Sequence, residues 1–376
     1  MTILTTADAA SRFVVAPHMQ RVIALGGPGG WRQVLQMWRG RRGTGRFSPK
    51  EYYDYALWRP EVTAARRQEF VFATQNRPAN DSLRQSGVPA SDAIIEDKLA
   101  SAALFAAHGL PSTTTRAFYA ADPGIVPAQD VPTLRDRAAL AALLADPAQY
   151  PLFGKPLGAS RSRGVVNLAG LGPEPGQVTL SNGVAVPLAM LLDEIVQSWG
   201  GGYLLQEQLT NHAALLAHLG TAAGSLWLVT LMRRDGPALL YAKLKLPAAM
   251  AMHDGPSKGP RAGAMIDPAT GQIGAIRIRF DLAAPRLTHW RDPDHALSGL
   301  VLPHFPAAVA AVFAGHRLFP AHGVLGWDVV LTDRGPVLNE VNANPDHNAC
   351  QQVTGRGLMN ADLLPLWRQA QDWALG

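Results

Sequence analysis

Asp328, Glu340 and Asn342 stand in the stretch GWDVVLTDRGPVLNEVNANPD, residues 326–346, and their spacing poses a charge problem. Apolar residues alternate with others on both sides of Asp333, Arg334 and Gly335, which reads as a β-hairpin. Gly335 suits the left-handed third position of a three-residue loop. A turn centred on Arg334 sets Thr332 opposite Pro336, Val330 opposite Leu338 and Asp328 opposite Glu340. Directly opposed side chains lie about 4.5–5.5 Å apart at Cβ, where like charges are destabilising. A positive charge is therefore expected between the two carboxylates, and removing either carboxylate is expected to relieve repulsion. Asn342 adds an amide oxygen on the same face.

Two bland or rival readings stand beside this one. A retaining glycosidase also opposes two carboxyls, at about 5–5.5 Å, but that leaves the lysines described below without a role. A surface hairpin with both acids in solvent leaves Asn342, Asn344 and Pro345 without a reason.

Lysines with nearby small residues form the second group. In FGKPLGASRSRGV, residues 153–165, Lys155 ends an apolar strand and a Gly- and Ser-rich loop follows. Backbone N–H groups of such a loop can cradle phosphate oxygens while the lysine supplies a point charge. GxxxxGK[ST] occurs nowhere, which excludes a Walker loop. GGPGG at 26–30 lacks GxGxxG spacing and reads as a turn. His253, His322 and His347 lie near the hairpin in sequence or pattern, and a hydrogen-bonded structural role is the expected one for each. Arg277 and Arg279 alternate in AIRIRF, so both are expected on one strand face, where they suit either a carboxylate clamp or solvent.

The chain must hold these groups in place. Its 376 residues exceed the size at which one core usually stops growing, so two or three lobes are expected. Apolar residues make up 47%, yet no run approaches the roughly 18 uninterrupted apolar residues of a membrane helix. The opening MTILTTADAASRFVVAPHMQR lacks the basic segment and long apolar block of a secretory signal, so a cytoplasmic location is expected. Cys350 is the single cysteine, which excludes an internal disulfide framework and a thiolate zinc cluster. It reads as a small buried apolar side chain.

Charge is uneven. Residues 1–50 hold eight Lys/Arg against Asp8, a local +7, which leaves −2 for the rest of a chain whose total is +5. The densest part, GWRQVLQMWRGRRGTGR at 30–46, suits an anionic substrate, a membrane surface or a nucleic acid. The expected reading is a solvated helix face with Trp31 and Trp38 in the core. No nucleic-acid motif accompanies it.

Along the chain, SDAIIEDKLASAALFAAHGLP predicts one helix from an N-cap at Ser91 or Asp92 to Gly109. TLRDRAALAALLAD predicts a helix ending near Pro147, and VPLAMLLDEIVQSW a third. YPLFGKP, GVVNL and GGYLLQEQL predict strands, and SLWLVTLMRRDGPALLYAKLKL predicts two strands about RDGP. Residues 251–274 are too rich in Gly and Pro to be regular, and such loops often carry function. VLPHFPAAVAAVFAGHRLFP predicts the helix before the hairpin.

In this order the islands resemble the ATP-grasp superfamily, above all its sugar-transfer-associated group, across about residues 91–350. EDKLASAALFAAHGLP is similar to a helix opening with a phosphate-contacting lysine, here Lys98. FGKPLGASRSRGV is similar to the lysine strand and small-residue lid, here Lys155 with Gly158, Ser160 and Gly164. YLLQEQL resembles the hinge where main chain and an acidic side chain hold adenine, which implies Glu207, Gln208 and Leu209. The hairpin resembles the metal site, which implies Mg²⁺, with Mn²⁺ as a substitute, on Asp328, Glu340 and Asn342; hard oxygen donors suit such an ion.

The resemblance implies an α+β ATP-grasp fold: two α+β lobes hold Mg-ATP between them, preceded by a mainly helical region. The expected bounds are 1–90 for the basic N-terminal region, 91–205 for the lobe with the lysines and lid, and 206–376 for the lobe with the metal hairpin. The implied reaction is ADP-forming. A substrate carboxylate is activated as an acyl phosphate, and an amine or other nucleophile on a small-molecule, sugar-linked or peptide acceptor attacks it. A kinase acting on a sugar or other hydroxyl, and a non-catalytic nucleotide-binding module of polysaccharide or peptide assembly, are the alternatives. The sequence departs from the family at Trp227 and Gly326, where arginines are usual, and at Asp346, where a glycine is usual. Lys243, Lys245, Arg233 and Arg261 are candidate substitutes, and Lys155, Lys245 and Arg261 are the expected catalytic cations. No nucleic-acid partner is expected. Contact of residues 1–50 with an anionic surface is the remaining partner reading.

Overall fold

Two β-sheets and a helical N-terminal region make up the α+β structure. A computed structural model describes residues 3–5, 13–42, 46–159, 162–220, 223–247, 262–279 and 284–376. Ser160, His253 and Arg261, named above, lie outside the described residues.

The N-terminal region consists of α1 (Val15–Ala24), α2 (Gly30–Arg42), α3 (Pro49–Asp54), α4 (Ala64–Gln68) and α5 (Ala73–Asp81). Ser48 caps α3 and Glu51 bonds back to it, a reciprocal pair that satisfies two N-terminal donors. The core here is aromatic, with Tyr55, Phe70 and Phe72 in mutual ring contact and Tyr52 against Phe47 and Tyr53. Trp31 and Trp38 do not join it. Their side chains lie on the outside of α2, 69% and 50% exposed.

The expected helix at 91–109 is two helices, α6 (Asp92–Glu96) and α7 (Lys98–Ala107). Asp97 breaks it. This residue is extended, and its carboxylate accepts from the N–H groups of Leu99 and Ala100, so it serves as the N-cap of α7. The break places Lys98 at the first position of a new helix.

The first sheet runs in the order β2-β1-β7-β3-β4-β5-β6. Its strands are β1 (Thr115–Tyr119), β2 (Thr133–Leu134), β3 (Leu152–Pro156), β4 (Val166–Leu171), β5 (Gln177–Leu180), β6 (Ala185–Pro187) and β7 (Tyr203–Glu207). Helices α8 (Arg137–Ala145) and α9 (Leu188–Trp199) bury Leu140, Leu144, Leu191 and Ile195 against it. β7 spans positions 205 and 206, so the hinge segment starts as a strand of this sheet.

The second sheet is antiparallel throughout, in the order β11-β10-β9-β8-β12-β13. After α10 (Ala213–Leu219) come β8 (Ser225–Arg233), β9 (Gly236–Leu246), β10 (Ala262–Ile266) and β11 (Ile273–Ile278). Then α11 (Phe305–His316) leads into β12 (Val324–Thr332) and β13 (Gly335–Asn342), followed by α12 (Asn348–Thr354) and α13 (Leu364–Ala374). β10 forms within the Gly-rich stretch expected to be irregular; Ala262, Ala264 and Ile266 are apolar enough to join the core. One face of the sheet packs on α11 and Phe105, the other on Trp367 of α13 and on Val71 and Leu83. Both faces are thus covered, and β8 and β12 read as near-continuous apolar runs.

The hairpin differs in detail from its expected register. Its turn is Asp333–Arg334, so Thr332 faces Gly335 and Val330 faces Val337. Gly335 still takes a positive φ, 116°. A β-bulge near Asn339 absorbs the one-residue offset, and Asp328 faces Glu340 after all.

A buried chain of hydrogen bonds fixes β12 beside the site. Trp327 Nε1 donates to Thr230 Oγ1 (2.9 Å), Thr230 pairs with His316 Nδ1 (2.7 Å), and His316 Nε2 meets the His322 carbonyl (2.8 Å). Burial pushes His316 down to about 4, and does the same to His347, which lies against Tyr241 and Asn80. The unfolded histidines titrate near 6.5, so between there and about 4 the unfolded chain binds more protons and stability falls as pH falls. Denaturant melts should show this loss across that window. His316→Gln should reduce the slope; an unchanged slope would mean that other groups control it.

Candidate active site

Three lysines from three separate elements surround the opposed carboxylates. Asp328 interrupts the apolar run of β12 with a half-buried side chain, and its Oδ1 accepts from Ser225 Oγ at 2.7 Å and from Lys245 Nζ. Lys98 Nζ lies 3.7 Å from Glu340 Oε1 and donates to the carbonyls of Leu157 (3.2 Å) and Ala159 (3.1 Å). Lys155 Nζ donates to Asn339 Oδ1 at 3.2 Å. Burial lowers Lys155 to about 8, opposed by the negative Glu340 and reinforced by the positive Lys98.

The expected positive charge is therefore protein-borne, at least in part. Lys245 answers Asp328 and Lys98 lies near Glu340, while Lys155 faces both. Asn339, which the sequence reading passed over, turns out to be central. As the bulge residue it accepts from Lys155 of the first sheet, and Thr113 Oγ1 lies 3.4 Å from the same oxygen. The segment around Thr113 completes the junction, since Pro111 O accepts from Leu338 N and Thr114 O from Glu207 N.

Asn342 lies one row along the hairpin, opposite Gly326. The chain that follows is held by α5. Asn76 and Asn80, one turn apart, each donate to the Pro345 carbonyl at 3.0 Å, and Asn80 also reaches Asn344 Oδ1 at 2.6 Å. This gives Asn344 a structural role and makes α5 a support of the site. The (i, i+4) spacing of two asparagines was the available signal. Two carboxylates and an amide oxygen are a hard-oxygen donor set that fits Mg²⁺ held partly by substrate oxygens. Among the described residues no three His, Cys, Asp or Glu side chains cluster as a fuller metal cage.

Glu207, Gln208 and Leu209 border a small cavity that Phe153, Ser225 and Asn339 also line. Gln208 N donates to Pro151 O at 3.4 Å, and Arg334 Nη2 lies 3.8 Å from Glu207. A larger cavity opens on the other side of the lysine strand, between Glu96, Asp97, Gly158, Arg163 and Trp199. Gly164 has φ +74°, and a Cβ there would lie 2.6 Å from Pro156 and from Trp199. Its carbonyl accepts from Tyr203 Oη at 2.8 Å.

The departures at 227 and 326 are one event. A Cβ on Gly326 would lie 2.7 Å from the Trp227 ring and 2.9 Å from Pro345, so the indole occupies the space an arginine at 326 would need. Cations gather around that indole instead. Lys245 Nζ lies 4.8 Å above it, and Lys243 is its cross-strand neighbour on β9. Burial lowers Lys243 to about 7, reinforced by Arg279 and Lys245. Arg279 Nε donates to Gln352. Arg233 is not part of this group. It sits at the opposite end of β8, bonded to Gln369 and paired with Asp235.

The site thus sets two lysines beside an acidic hairpin, and the part of the chain that carries the hairpin is similar to an ATP-grasp family. Residues 194–363 match the model of the family described as sugar-transfer associated ATP-grasp, which leaves residues 1–193 and 364–376 outside the match. No curated protein matches the chain. Solved structures it is similar to include an L-amino acid ligase from Bacillus licheniformis, at 13% identity and TM-score 0.38, covering 80% of this chain and 53% of that one. They also include VanG D-Ala:D-Ser ligase from Enterococcus faecalis, at 12% identity and TM-score 0.42, covering 75% and 61%. A D-alanine–D-alanine ligase from Bacillus anthracis is a third, at 14% identity and TM-score 0.36, covering 74% and 68%. The chain spans about half the length of the first of these.

Two predictions follow from the lysines. Asp328→Asn should destabilise the nucleotide-free protein by about 1–3 kcal/mol, because Ser225 and a partly buried Lys245 lose a charged acceptor. Glu340→Gln should cost less, since Lys98 keeps two carbonyls. Equal losses in chemical denaturation would refute the pairing. With ATP as the ligand that the family resemblance implies, affinity should fall as pH rises through about 8, where Lys155 loses its proton, and Lys155→Met should weaken binding about 10- to 100-fold and flatten that dependence. Calorimetric titration with ATP and with adenosine checks this; equal loss for both ligands would indicate misfolding.

Proposed function

We propose that the protein is an ADP-forming ligase that activates a carboxylate for attack by an amine or other nucleophile. The supporting observation is the convergence of Lys98, Lys155 and the Asp328–Glu340 pair at the junction of two sheets. ATP-grasp proteins are generally ATP-dependent ligases, and the family match covers the hairpin.

On this reading Glu207, Gln208 and Leu209 hold adenine, with Lys98 and Lys155 on the phosphates; Gly158 and Gly164 serve as lid glycines, and Ser160 remains a lid candidate outside the described residues. Asp328, Glu340 and Asn342 would hold Mg²⁺, or Mn²⁺, which neutralises phosphate charge when bound. A carboxylate oxygen attacks the γ-phosphorus, the bond to the β–γ bridging oxygen breaks, and ADP leaves. The nucleophile then attacks the acyl carbon, and inorganic phosphate departs with the bonding electrons. Lysines placed beforehand supply positioning and charge stabilisation, the main contributions the protein makes to such a transfer. Lys243 and Lys245, beside Trp227, supply the cations that face the acceptor carboxylate in place of the missing arginines. Arg261 remains a candidate from outside the described residues.

Hydroxylamine distinguishes this from a kinase. With Mg-ATP and pools of carboxylates, amines and sugars, the ligase should give acceptor-dependent ADP, and hydroxylamine should trap the acyl phosphate as a hydroxamate. Glu340→Gln should lower ADP formation about 100-fold or more. A stable phosphorylated product without free phosphate would make the protein a kinase, and AMP with pyrophosphate would exclude γ-phosphoryl transfer.

A further inference from the structure

The polarity of α2 is inverted. Its inward face carries two hydrogen-bonded glutamines beside the buried Met37: Gln33 is fully buried, accepting from Tyr53 Oη at 2.9 Å and donating to Pro28 O at 2.7 Å, and Gln36 accepts from Tyr52 Oη at 2.5 Å. Its outward face carries Trp31, Val34 and Trp38, all at least half exposed. A surface helix normally places its apolar stripe against the core. Here the glutamines anchor the helix, and the apolar residues are left for something else.

Further exposed apolar residues lie close to α2 in sequence. Among the described residues, six of fourteen exposed large apolar side chains fall within residues 14–38: Val14, Ile23, Leu25, Trp31, Val34 and Trp38. Such side chains scattered singly need no explanation, but a cluster does. Around them, residues 13–50 contain seven Lys/Arg and no Asp or Glu. Arg32 lies 5.8 Å from the Trp31 ring and Arg42 4.0 Å from the Trp38 ring, while Arg39 and Arg41 are exposed in the last turn.

We propose that the outward face of α2, with Ile23 in the last turn of α1 and Leu25 just after it, docks on an anionic lipid bilayer. Interfacial helices combine an aromatic and aliphatic face with flanking Lys/Arg, lie in the plane of the membrane, and bind by apolar burial plus attraction to acidic headgroups. Tryptophan suits that boundary, and arginine reaches phosphates while its stem stays in apolar surroundings. A nucleic acid would use the tryptophans for stacking and the arginines for phosphates. It would give the aliphatic Val34, Ile23 and Leu25 nothing to bury against, so lipid accounts for more of the face.

The test is flotation of the full chain with vesicles of phosphatidylcholine mixed with phosphatidylglycerol, and with phosphatidylcholine alone. The protein should float with the anionic vesicles, less so as salt rises, and remain behind with neutral ones. Trp31→Ala with Trp38→Ala should weaken binding at least about tenfold, and Arg39→Gln with Arg41→Gln roughly 30-fold. Wild-type protein that stays with the soluble fraction would overturn the proposal. So would undiminished binding by the tryptophan double variant, or tighter binding to a single-stranded oligonucleotide than to the anionic vesicles. Circular dichroism melts establish that each variant is folded, and should the tryptophan variant fail to fold, the arginine variant decides.

Discussion

Two carboxylates set face to face on adjacent strands repel unless cations compensate them, and the pair Asp328 and Glu340 is compensated from three directions. Lys245 comes from β9, on the far side of β8 in the same sheet, Lys98 from the start of a helix, and Lys155 from the other sheet. None of these lysines is near the hairpin in sequence. The charge requirement therefore acts between distant parts of the chain, and satisfying it holds the two sheets in register. Lys155 shows how costly the arrangement is for the isolated protein, because burial drives its ammonium toward the neutral form and the nearby carboxylates pull it back.

Uncharged groups set the geometry that the charges need. The bulge at Asn339 restores the alignment of Asp328 with Glu340 and gives Lys155 its acceptor. Asn76 and Asn80 fix the chain after Asn342 by bonding its carbonyl and amide groups. Gly326 is bare because Trp227 fills the space above it. Each is a small polar or steric condition on a neighbour, and together they explain why one hairpin depends on α5, β3 and β8.

How much of this the sequence disclosed depended on whether the information was local. The hairpin, its acids and the helices with clear apolar periodicity were legible, since period and turn chemistry are properties of short segments. The opposition of Asp328 and Glu340 was also legible, although by a route in which two deviations cancel: a shorter turn and a bulge. Asp97 could have been recognised as a break, because an aspartate followed by a lysine and an apolar run suits an N-cap. What pattern alone did not disclose was pairing between distant residues. Nothing in VLNEV marks Asn339 as the acceptor of a lysine 184 positions away, and the sharing of Asp328 by Ser225 and Lys245 follows from the strand order of the second sheet.

The N-terminal helix shows a different kind of limit. Periodicity divides a helix into two faces, but it does not say which of them the rest of the protein covers. For GWRQVLQMWRGRR the usual assumption, that tryptophans go inside, fails because Tyr52 and Tyr53 present hydroxyls that glutamines satisfy and indoles cannot accept. Once those bonds form, rotating the helix to bury Trp31 and Trp38 would strand two buried hydroxyls and expose Gln33 and Met37 in return. Hydrogen-bond satisfaction in the core thus outweighs the burial of two large apolar side chains. The same choice that stabilises the N-terminal region leaves its most hydrophobic and most basic surface facing outward.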